Sequence, residues 1–176
     1  MSRVLSSRYA QFCITILKCN REKKASLLVL LLLTTMPVLA QTKKGKQMEK
    51  RAINPWEWQN QRSYVQAVEV KNPEGTLYVS GQTAINAEGI SSNENMESQI
   101  KLALKNLEQV ITEAGYECKG IVRLNIYTTA TDELWPHFNL IQDWVAKHNI
   151  KQATTLLEVK SLFETLKVEL EATVVK

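Results

Sequence analysis

The sequence predicts an α+β layer fold in the order β-β-α-β-α-β-β, on three observations. Several short β-branched segments carry apolar residues at every second position, two longer segments carry them at three- and four-residue steps, and the two kinds interleave. Interleaving of this sort places both helices on one face of a sheet. A chain of 176 residues has room for one such domain and a leader, and 44% apolar residues exclude a disordered chain.

Residues 1–40 read as an export signal. The run Ala25-Ser26-Leu27-Leu28-Val29-Leu30-Leu31-Leu32-Leu33-Thr34-Thr35-Met36-Pro37-Val38-Leu39-Ala40 follows Arg21, Lys23 and Lys24 and precedes polar Gln41. A membrane-spanning helix needs about 20 apolar residues, whereas this run is shorter and is broken by Pro37. Small Val38 and Ala40 fit a signal peptidase and predict cleavage before Gln41. A periplasmic or secreted protein follows, with membrane contact only through an uncleaved leader. Residues 41–51, with Lys43, Lys44, Lys46, Lys50 and Arg51, read as a flexible basic tail ahead of a domain at 52–176.

Within that domain, Tyr64-Val65-Gln66-Ala67-Val68-Glu69-Val70 alternates with period two. Asn72-Pro73-Glu74-Gly75 then supplies a turn and residues 76–80 are β-rich, which predicts a hairpin. Met96, Ile100, Ala103, Leu107, Val110, Ile111 and Ala114 predict an amphipathic helix, with Asn93 or Asn95 to cap it and Gly115 to stop it. Residues 121–129 form a third strand. Thr131 or Asp132 then caps a second helix that carries Leu134, Phe138, Ile141, Trp144 and Val145, with Pro136 in its first turns. Residues 154–159 and 166–175 are the last strands, the latter setting Val168, Leu170, Ala172 and Val174 against Lys167, Glu169, Glu171 and Thr173. Several strands are read as apolar on both faces. The sheet face without helices then calls for a cover, and a second copy of the chain is the economical one.

The charge is uneven. Six of the 22 basic residues and one of the 18 acids precede residue 41, leaving 16 basic against 17 acidic residues in the body. A near-neutral body disfavours nucleic acid as a partner. Cys13 and Cys19 lie in the leader, so cleavage leaves Cys118 alone and no internal disulfide. One Cys with only His137 and His148 supplies no metal-ligand spacing, and nothing calls for a cofactor. Cys118 has no His near it in sequence and reads as an inert thiol.

Three motifs in register carry a resemblance. Tyr64-Val65-Gln66-Ala67-Val68, Leu77-Tyr78-Val79-Ser80-Gly81-Gln82 and Val168-Glu169-Leu170-Glu171-Ala172 resemble the first, second and terminal strands of the Rid family, also called YjgF or reactive intermediate deaminases. The resemblance implies a chorismate-mutase-like fold and a homotrimer whose sheets face a central barrel, with a small-molecule ligand in each of three clefts between subunits. Deaminases of the family hydrolyse enamines and imines such as 2-iminopropanoate to the keto acid and ammonia. An arginine clamps the substrate carboxylate, since a planar donor fork binds a carboxylate in two-pronged fashion and a Thr cannot.

Aligned from the terminal strand, the arginine's position is held by Thr154. Leu156 replaces a small Cys found in many members, and Phe138 a frequent Asn, with Asn139 beside it. Glu169 matches the family's acid, which helps activate water; Tyr64 matches a cleft aromatic, and Gly81 the glycine whose backbone approaches the ligand. A solvated Glu, a packed Tyr and a bulge Gly are the ordinary alternatives. Glu169 and Glu171 share a face roughly 7 Å apart, which also invites a paired-carboxylate glycosidase reading that nothing else supports. Trp56 and Trp58 either stack a flat ligand or pack a subunit edge.

The leader and the resemblance together predict an exported trimer that binds or processes a small metabolite, uncharged or cationic because the arginine is missing. Imines released by pyridoxal-phosphate enzymes arise in the cytosol, so the export signal and the absent arginine both point away from deamination. Imine deamination remains the alternative if Arg123 or Lys167 supplies the missing cation. The family's older label of endoribonuclease fits poorly with a near-neutral body.

Overall fold

Strand structure begins earlier in the chain than the alternation predicts. The structure, a computed structural model, describes residues 46–58 and 62–176, and the leader assigned to 1–40 lies outside them. β1 (Glu49–Ile53) takes up the end of the segment read as a tail. It runs antiparallel to β2 (Ala67–Lys71), with Glu49 opposite Lys71 and Ile53 opposite Ala67. Cross-strand charge favours the pairing, because Arg51 Nε donates to Glu69 Oε2 at 3.0 Å across the ladder, while Lys71 on the same strand lies 3.5 Å from that oxygen.

The expected hairpin does not form. β3 (Thr76–Thr83) spends its ladder on β6 (Val168–Val175), Thr76 lying opposite Val175. The turn before it closes on the end of the chain, with Gly75 N donating to Lys176 O at 3.0 Å and Lys176 N to Gly75 O at 3.1 Å. β2 pairs with β1 instead. The main sheet has the order β3-β6-β4-β5, with β4 (Ile121–Thr128) antiparallel to β6 and parallel to β5 (Ala153–Glu158).

Two helical regions cover one face, as expected. α1 (Met96–Glu113) starts at Asn95, whose Oδ1 accepts from Ser98 N at 3.0 Å, and the chain turns away at Gly115, φ +74°. The second helix is split into α2 (Thr131–Leu134), a 3₁₀ turn at Trp135–His137 and α3 (Asn139–Lys147). Pro136 has no N–H to continue the α ladder, and the turn tightens so that Phe138 N donates to Trp135 O. Thr131 does not cap it; its N–H and hydroxyl both donate to Glu158.

Between helices and sheet lies the core, where Ile100, Leu107, Ile111 and Ile141 meet Leu124, Ile126, Val168, Leu170 and Val174. The other face differs from expectation. Arg123, Asn125, Tyr127, Glu169, Glu171 and Thr173 line it, with Tyr78 and Leu157 as its exposed large apolar groups. The strands are apolar on one side and largely polar on the other, so apolar cover does not require a second copy; the trimer is implied by the resemblance alone. No helix among the described residues is long and apolar enough to cross a membrane.

Candidate functional site

Alternation along β6 sends Glu169 and Glu171 to the open face, where their surroundings differ. Glu171 Oε2 accepts from Asn125 Nδ2 at 3.1 Å and from Tyr127 OH at 2.8 Å, and these bonds hold its carboxyl below the ordinary value. The same contact pushes the Tyr127 phenol up. Glu169 lies against Gly81 instead. The ladder between β3 and β6 slips between Val79 and Gln82, a bulge that carries Gly81 across the Glu169 side chain. A Cβ on Gly81 would fall on the Glu169 carboxylate, so the glycine is both a bulge and a close approach.

Thr154 and Leu156 project from the other face. In the parallel ladder Leu124 pairs with Thr154 and Ile126 with Leu156, and Leu124 and Ile126 are core residues. Thr154 reaches a cavity of about 20 Å³ that Tyr64, Phe138 and Gln152 also line, and Leu156 and Phe138 each pack against the core. Phe138 stands at the junction of the 3₁₀ turn and α3, edge-on to Trp135 at 5.1 Å. Asn139 is exposed. Tyr64 lies just outside a strand, in a segment tied to the start of β5 by a Val65 to Ala153 bridge.

Four of the six expected site residues thus gather on the helix side of the sheet, and two on the open side. The cations considered as substitutes are engaged elsewhere. Arg123 donates to Asn125 Oδ1 at 3.1 Å and Thr155 Oγ1 at 3.3 Å. It lies opposite Thr173, four residues along β6 from Glu169, or about 13 Å at strand rise. Lys167 Nζ pairs with Glu133 Oε2 at 2.6 Å. Trp56 and Trp58 stack at 6.1 Å, with the Arg62 guanidinium 5.1 Å from the Trp58 ring centre. Cys118 is buried, and burial pushes its thiol up to about 11, the state of an unreactive sulfur. Among the described residues no three His, Cys, Asp or Glu side chains gather where they could hold a metal ion.

Gln152 is the residue that sequence reasoning missed. It is 2% exposed, and Nε2 donates to Ser63 O at 2.9 Å and to Thr154 Oγ1 at 3.2 Å. It joins the segment before Tyr64 to Thr154.

Residues 57–176 match the family described as Endoribonuclease L-PSP. A RutC family protein of Aquifex aeolicus is 33% identical over 113 residues, which is 64% of this chain and 88% of that one. Among solved structures, YyfB of Yersinia pestis, a protein of unknown function of the conserved Rid protein family, is similar with a TM-score of 0.64 at 27% identity, over 72% of this chain and 98% of its own. The YjgF gene product of E. coli shares the fold, at TM-score 0.54 and 24% identity over 64% of this chain and 87% of its own. The chain belongs to the endoribonuclease L-PSP family, and its RutC and Rid relatives place it with the Rid proteins. Membership supports a role in processing small molecules.

Proposed function

We propose that the protein is an exported Rid-type homotrimer that binds or processes a small metabolite in clefts between subunits, with 2-imino acid turnover weak because Thr154 stands where the clamp belongs. One observation carries the reading: Thr154 and Glu169 lie on opposite faces of one sheet. A single chain cannot bring both to one ligand. Two copies can, if the open face of one, with Glu169 over Gly81, meets the edge of the other beside Tyr64, Phe138 and Thr154. Glu169 then activates water, and the Thr154 side receives the head of the ligand. Without a guanidinium, a carboxylate head would be desolvated near Glu169 with nothing to offset it, which favours an uncharged or cationic ligand. Export is supported by the basic, apolar, small-residue layout of residues 1–40. Light scattering at micromolar concentration tests the assembly: a mass of three chains is expected, and a monomer contradicts the shared cleft.

A further inference from the structure

The amide of Gln152 is oriented by its partners. Ser63 O can only accept, so the NH₂ group must face it, and the oxygen is fixed on the other side. That oxygen, Oε1, is buried and has no hydrogen-bond partner among the described residues. The cavity lined by Gln152, Thr154, Tyr64 and Phe138 measures about 20 Å³, room for one water-sized group. Its remaining walls are largely apolar, Leu124, Ile126, Ile141 and Val145 among them.

We infer that Gln152 Oε1 is the specificity-determining acceptor of the ligand site, and that it selects a neutral hydrogen-bond donor, a hydroxyl or an uncharged N–H, over a carboxylate. The inference rests on the small-molecule reading above and narrows it. A carboxylate brings only acceptors, which would meet the amide oxygen lone pair to lone pair. An ammonium brings donors, but the cavity lining contains no carboxylate, and desolvating a cation against apolar walls costs far more than one hydrogen bond returns. A neutral donor satisfies the buried oxygen and adds no charge. The replacement of the family's arginine by Thr154 then becomes intelligible, because the Thr154 hydroxyl accepts from Gln152 Nε2 and holds the amide in that orientation.

The test uses three probes of one skeleton, propanamide, propanoate and propylammonium, titrated into the ¹⁵N-labelled protein while the Gln152 side-chain NH₂ resonances are followed. The amide is expected to shift those resonances and to bind roughly five- to a hundredfold more tightly than propanoate, the range set by leaving a buried acceptor unpaired. Gln152→Met should erase the preference, and Thr154→Arg should turn it toward propanoate. The wild-type ranking stands by itself if either variant fails to fold. Equal or tighter binding of propanoate or propylammonium to the wild type overturns the inference and leaves the small-molecule reading intact. Binding of none of the three, with Oε1 satisfied by solvent alone, overturns both.

Discussion

Two glutamines, Gln99 and Gln152, are almost wholly buried in this fold, yet they are used differently. Gln99 is completed by the chain. Its Nε2 donates to the carbonyls of Ser92, Glu94 and Thr165, and its Oε1 accepts from Lys167 N at 2.8 Å, tying the start of α1 to the start of β6. Gln152, which lines the cavity, spends its NH₂ on Ser63 and Thr154 and keeps a buried, unpaired oxygen. The open face repeats the contrast with two acids: Glu171 is held by Asn125 and Tyr127, while Glu169 lies over Gly81. Gln99 and Glu171 are completed by the protein and serve the scaffold, whereas Gln152 and Glu169 are the groups the proposed site draws on.

The largest effect expected from this contrast is at Gln99. Gln99→Leu removes the partner of Lys167 N and of three carbonyls, and should cost about 2 to 4 kcal/mol in urea denaturation. Gln152→Leu should cost less, about 1 kcal/mol, because removing an unsatisfied acceptor offsets part of the loss. The reverse order would break the distinction between the two residues.

Gly81→Ala sharpens the same contrast on the open face. The added methyl must displace the Glu169 side chain, at a cost of about 1 kcal/mol. In a double-mutant cycle with Glu169→Ala most of that cost should disappear. Additive penalties would show that the methyl strains the bulge and not the acid.

The smallest effect is on acid stability. The folded Glu171 carboxyl sits below its ordinary value of 4.5, so its contribution is present above that value and lost as pH falls through the depressed one. Between pH 5.5 and 3, Glu171→Gln should lose less stability than the wild type in urea midpoints. Equal losses would mean that Asn125 and Tyr127 do not hold the ionised acid.

Much of the scaffold is legible in the sequence because its periodicities are local. The α1 stripe and the alternation of β6 are read from neighbours three, four or two residues apart, and Asn95 is a cap by residue type. Pairing is not local. Asn72-Pro73-Glu74-Gly75 has hairpin composition, but Thr76 finds its partner in Val175, and β1 arises from a segment whose charges resemble a tail. The positions of Thr154, Phe138 and Glu169 are legible only through resemblance, and their division between two sheet faces follows from register. Gln152, between Lys151 and Ala153 at a strand entrance, leaves no periodic trace.

The central claim is that no guanidinium stands at the ligand site, and turnover of 2-iminopropanoate tests it most directly. Removing one partner of a buried charged pair costs on the order of 2 to 5 kcal/mol, or roughly thirtyfold to several thousandfold at about 1.4 kcal/mol per decade. The wild type should fall below an arginine-bearing relative in kcat/KM by that factor. Thr154→Arg should recover part of it, limited by Leu156 and Phe138 beside the new side chain. Wild-type kcat/KM equal to that of the relative, measured side by side, would show that the clamp is supplied from elsewhere and would contradict the account.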